Sequence, residues 1–94
     1  MSAFDEDTIR KRLAERPGWA FENGEIVRTF TAPTFHRAIG FVVQIAMLAD
    51  AMDHHPDLTV RYNRVTVAVS THSAHGITEK DFTLAARIDE AFAD

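Results

Sequence analysis

The feature that most constrains this chain is the stretch at 34–52, where apolar residues recur at helical spacing along two lines rather than one. Phe35, Ile39, Val42, Ala46, Ala49 and Asp53 follow one line, and Phe35, Ala38, Val42, Ile45, Ala49 and Met52 follow another. With Phe41, Val43 and Leu48 added, the apolar arc is wider than one sheet face covers. Part of the helix is therefore expected to sit against a second subunit, with a snug monomer as the alternative. Its longest apolar tract, 38–49, contains Gly40 and Gln44 and falls short of the roughly 20 apolar residues of a spanning helix. No membrane segment is expected.

The remaining elements follow from periodicity and turn chemistry. Residues 5–15 read as a short helix, with Ile9 and Leu13 on one face and Pro17-Gly18 ending it. Residues 19–21 and 26–30 flank Asn23-Gly24, a dipeptide suited to the positive φ angles of a tight hairpin. Residues 58–62 and 65–70 alternate apolar with polar, with Asn63-Arg64 as the expected turn between them. Thr78-Glu79-Lys80-Asp81 has the form of a capping box, after which Phe82, Ala85, Ile88 and Phe92 give a helical stripe. The order is α-β-β-α-β-β-α. Paired hairpins imply an α+β fold, an antiparallel four-stranded sheet with helices packed on one face.

Ninety-four residues with no linker or repeat make one domain, 1–94. A net charge of −4 argues against an electrostatic grip on nucleic acid or an anionic membrane. The absence of cysteine removes disulfides, thiolate zinc sites and thiol catalysis, and the acidic N-terminus lacks the pattern of a signal peptide. A cytoplasmic protein is expected.

Four of the five histidines fall between residues 54 and 75. With the turn at Asn63-Arg64, Leu58 faces Val69, and continuing that register brings residue 55 opposite residue 72. His54, His55 and His72 are thus expected at one end of the hairpin, away from its turn, with Pro56 disturbing strict pairing. Asp50 precedes His54 by four residues, one turn back on the same helix face, where its carboxylate can orient an imidazole. Imidazoles both give and take protons near neutral pH. One end of the sheet therefore reads as an acid–base site.

The stretch Asp50-x3-His54-His55-Pro56-x5-Tyr62-x9-His72-x8-Asp81 resembles the signature of the pterin-4a-carbinolamine dehydratases in order and in every spacing. Pro17-Gly18-Trp19, Phe35-x2-Ala38-x-Gly40-Phe41, Ser70-Thr71-His72 and Gly76-Ile77-Thr78-Glu79-x-Asp81 also look like the family. The resemblance implies dehydration of 4a-hydroxytetrahydropterin to quinonoid dihydropterin in tetrahydropterin recycling, with no metal and no bound cofactor. It implies that His54 and His72 are the general acid–base pair and that His55 binds the pterin. Asp50 would orient the site, while Pro56 and Asp81 would border it. It also implies a homodimer or homotetramer. Two departures are present: the family usually has Glu where Asp50 stands, and many members carry an aromatic residue at the position of Leu58, where it packs on the substrate.

Other readings attach to the same residues. His54 and His55 beside a proline can simply close a helix. Asp81 can serve only the helix start at Thr78. His75 reads as a surface loop residue, Arg61 and Arg64 as solvated charges, and Trp19 and Tyr62 as core or interface aromatics. Three histidines with a carboxylate can hold zinc, but adjacent histidines rarely aim both rings at one ion. A non-catalytic binding or assembly module on the same fold is the alternative function, because relatives include dimerisation cofactors and carboxylase assembly factors. Such a chain would be free to lose His54, His55 or His72.

Overall fold

Asp5 begins the first helix, α1 (Glu6–Leu13), by accepting a hydrogen bond from the Thr8 N–H at 2.8 Å. The structure is a computed structural model describing residues 2–93. After Gly18, at φ +95°, the chain enters β1 (Ala20–Glu22) and β2 (Glu25–Thr31). Asn23 and Gly24, at φ 52° and 79°, make the turn between them, as the dipeptide predicts. Thr34 caps α2 (Phe35–Met52), β3 (Asp57–Arg61) and β4 (Arg64–Val69) form the second hairpin, and α3 (Glu79–Ala93) completes the described chain.

The four strands are antiparallel in the order β1-β2-β4-β3. On one face Ile26, Phe30, Val65, Val67 and Val69 are buried against the helices. The other face carries Thr29 and Thr66, whose hydroxyls are 2.8 Å apart, and is polar. This is the α+β arrangement expected from the strand and helix pattern. Phe30, Phe41 and Phe92 meet with ring centroids 5.0 Å apart and join β2, α2 and α3 at the core's centre. Asp89, one turn before Phe92 on α3, accepts from Trp19 Nε1 at 3.0 Å and Arg28 at 2.8 Å.

One expectation is corrected. The second hairpin turns at Tyr62-Asn63, not Asn63-Arg64, so Leu58 faces Val67 and Arg61 faces Arg64. Tyr62 takes the left-handed conformation at φ 55°, and Asn63 is tied to the end of β2. Its side-chain amide donates to the Ala32 carbonyl at 2.9 Å, and its carbonyl accepts from the Ala32 N–H at 2.8 Å. At 18 residues and a mean hydropathy of 1.3, α2 is long and apolar enough by length and composition to cross a membrane, a property that core helices share. Ala38, Phe41, Ile45 and Ala49 nevertheless pack into the domain core, which accounts for one side of the helix.

Candidate active site

The end of α2 decides where the first two histidines point. Asp53 adopts the left-handed conformation at φ 50°, ψ 45°. The His54 N–H then returns to the Ala49 carbonyl at 3.1 Å and the Asp53 N–H to the Asp50 carbonyl at 3.1 Å. These are the two bonds of a Schellman closure, with aspartate where glycine is usual. The chain therefore leaves the helix at His54 instead of continuing its spiral. His54 turns inward and is buried, His55 stays exposed, and Pro56 leads into β3.

The facing wall comes from the end of β4. Thr71 and Gly76 form an isolated antiparallel bridge, with Thr71 N–H to Gly76 carbonyl at 2.8 Å, and the residues between them make a 3-10 turn at His72–Ala74. His72 is exposed at the start of this turn, while the Thr71 side chain faces inward and is buried. The two-residue shift of strand register leaves the histidines at the same end of the hairpin, as expected. His75, at φ 56°, is exposed beyond the turn.

Asp81 lies beneath the site and is fully buried. Its Oδ1 is 2.6 Å from His54 Nε2, and its Oδ2 accepts from the Thr71 hydroxyl at 2.7 Å and the Thr78 N–H at 2.9 Å. The capping role and the site role, which compete in the sequence, belong to the same carboxylate. A carboxylate accepts, so the His54 proton facing it sits on Nε2. Nδ1 has no hydrogen-bond partner among the described residues. No buried side-chain nitrogen or oxygen there lacks one, so Nδ1 is open at the surface.

Asp50 does not reach His54. Its Oδ1 lies 2.9 Å from His55 Nε2, in a pair exposed at 77% and 58% of the two side chains. The four-residue helical spacing to His54 does not apply, because the helix has already closed at Asp53. Each of the two histidines thus has its own carboxylate, one buried and one in solvent.

His54, His55, Pro56 and His72 line one cleft of about 390 Å³, together with Asp53, Asp57, Ser70, Thr71, Ser73 and Lys80. This is large enough for a small ring system. Asp81, with no exposed surface, is excluded from direct contact with a bound molecule and acts on the cleft through His54, a correction to the expectation that it borders the substrate. Leu58 is also not part of the cleft wall; it packs against the core beneath the sheet. Sequence reasoning missed Lys80, Ser73 and the two exposed aspartates, Asp53 and Asp57, which stand beside the signature positions without a pattern of their own. A larger hollow of about 460 Å³ beside α2 and the end of α3 has Arg37 as its only ionisable side chain and offers no acid–base pair.

The family model for pterin 4 alpha carbinolamine dehydratase matches residues 2–91. A Chloroflexus aurantiacus protein named "Putative pterin-4-alpha-carbinolamine dehydratase" is 56% identical over 90 residues, covering 96% of this chain and 97% of its own. The crystal structure of a transcriptional coactivator/pterin dehydratase from Brucella melitensis superposes with a TM-score of 0.91 at 34% identity, covering 96% of this chain and 98% of that one. A pterin dehydratase-like protein described as a RuBisCO assembly factor in the alpha-carboxysome shares the fold, with a TM-score of 0.67 at 16% identity over 81% of this chain and 88% of that one. From its match along nearly the whole chain, this protein belongs to the pterin 4 alpha carbinolamine dehydratase family.

Proposed function

We propose that this protein dehydrates 4a-hydroxytetrahydropterin to quinonoid dihydropterin in tetrahydropterin recycling, with His54 and His72 as the acid–base pair. The observation that carries the reading is the convergence of His54, His55 and His72 on one cleft, with a buried carboxylate behind the first. Loss of the 4a hydroxyl needs a proton on the departing oxygen, which leaves as water. Formation of the quinonoid system needs a base for the ring-nitrogen proton. One imidazole gives a proton and the other takes one, so protons balance over the reaction and no electron is transferred.

His54, steadied on Nε2 by Asp81, presents Nδ1 for exchange with the substrate. His72 acts from the facing wall. His55, braced by Asp50, and Pro56 contact the pterin. Generating the carbinolamine in situ and following its decay by absorbance tests the activity. Wild-type protein should accelerate the decay in proportion to its concentration, and a rate equal to buffer would refute the assignment.

A separate observation favours self-association alongside catalysis. Phe35, Ile39, Val43 and Met47 form a four-residue-spaced stripe along α2, exposed at 52%, 40%, 54% and 68%. We read it as the face on which copies of the chain meet in a homodimer or homotetramer. The same surface is what a binding or assembly module would use if catalysis were absent.

A further inference from the structure

Behind the cleft, the hydroxyls of Thr71 and Thr78 lie 2.8 Å apart, and Thr71 Oγ1 is 2.7 Å from Asp81 Oδ2. Thr71 is 3% exposed and Thr78 fully buried, so water does not complete this arrangement. The direction of donation is fixed from the carboxylate outward. Asp81 accepts, so Thr71 gives its single proton to Oδ2. Thr78 Oγ1 must then donate to Thr71, and it accepts in turn from the Lys80 N–H at 3.3 Å. Each hydroxyl has one proton, and this is the only assignment that satisfies all three contacts.

The Thr78 N–H is a second donor on Oδ2 at 2.9 Å. Oδ2 is thereby occupied from two sides, and Oδ1 is the oxygen left for His54. Thr71 is well placed to hold this geometry. Its backbone is pinned in both directions to Gly76, at 2.8 and 3.3 Å, and its β-branched side chain has little rotational freedom.

We infer that Thr71 is a positioning residue for the acid–base reaction. By donating to Asp81 Oδ2 it fixes the carboxylate plane, so that Oδ1 keeps the His54 proton on Nε2 and leaves Nδ1 as the nitrogen that works in the cleft. The inference rests on the reading of His54 as an acid–base group. It assigns the Thr71 hydroxyl, at the cleft's edge and turned to Asp81, a role transmitted through two other side chains.

The test compares wild type, Thr71→Val and Thr71→Ser by imidazole 15N NMR and by steady-state dehydration kinetics. In wild type, the His54 signals should show the proton on Nε2 and a bare Nδ1. Thr71→Val, which keeps the shape and removes the donor, should lower kcat about tenfold with KM changed less than about twofold, and Thr71→Ser should restore most of the loss. Thr71→Val should also broaden or reverse the His54 tautomer signals, which a role confined to packing would not do.

A His54 proton on Nδ1 in wild type overturns the inference, as does a folded Thr71→Val with wild-type kcat and unchanged His54 signals. Failure of Thr71→Ser to restore what valine removes also overturns it. If Thr71→Val does not fold, the wild-type spectrum and the serine variant decide. A wild type that dehydrates nothing, but whose His54 signals respond to Thr71→Val as described, refutes the acid–base reading and leaves the positioning intact.

Discussion

His54 Nε2 and Asp81 Oδ1 lie 2.6 Å apart, the histidine side chain 9% exposed and the aspartate not at all. The pair joins the end of α2 to the start of α3 and supports the cleft from beneath. Because Asp81 also caps α3, its loss removes three hydrogen bonds from buried partners. Asp81→Ala should lower the unfolding free energy by about 3 kcal/mol, the scale on which removing one partner of a buried pair is felt. Urea denaturation reads this, and a change below about 1 kcal/mol would mean the network is slack.

Asp50 and His55 make the opposite case. Both are in solvent, where an ion pair contributes at most about 1 kcal/mol. Asp50→Ala should leave the urea midpoint nearly unchanged while weakening substrate binding, seen as a raised KM. A stability loss as large as that of Asp81→Ala would contradict the division between a buried brace and an exposed one.

The fold was legible where chemistry is local and obscure where a distant contact decides. Asn23-Gly24 announces its turn because both residues accept positive φ cheaply. Tyr62 does not, since an aromatic residue at φ 55° is uncommon. What holds that turn is the Asn63–Ala32 pair, 31 residues apart in sequence. The meeting of His54, His55 and His72 at one end of the hairpin was legible, but their carboxylate partners and the rest of the cleft lining were not. Helical spacing pairs Asp50 with His54 only while the helix continues, whereas the Asp53 closure hands His54 to Asp81 and leaves Asp50 to His55. Thr78 and Asp81 could be read as a cap, but no local pattern shows that the same carboxylate reaches across to α2.

Acid should act on the Arg12–Glu79 pair in a definite direction. The Arg12 guanidinium, at 2.6 and 2.7 Å, holds the Glu79 carboxyl below its ordinary value of 4.5. A depressed folded value means the stabilisation is complete above pH 4.5 and is lost as pH falls through the lower folded value. Glu79→Gln should therefore be less stable than wild type at neutral pH, with the two melting curves converging below pH 4. The pair is largely exposed, so the difference should be small and should shrink further in salt. A gap that widens on acidification would reverse the assignment.

The stripe on α2 predicts association. Wild-type protein should sediment well above its chain mass of 10.5 kDa, and Val43→Glu, which places a charge in the middle of the stripe, should shift it toward that mass without unfolding it. A wild type that sediments as a single chain at all concentrations would show that copies of the chain do not cover this face.

The measurement that bears most directly on the central claim is the rate of 4a-hydroxytetrahydropterin dehydration by wild type, His54→Ala and His72→Ala, each checked for fold by circular dichroism. The account predicts a clear acceleration by wild type and a loss of about 100-fold or more in kcat for each variant, the contribution expected of a positioned acid or base. Variants that remain folded and keep the wild-type rate would show that the imidazoles are not the catalysts.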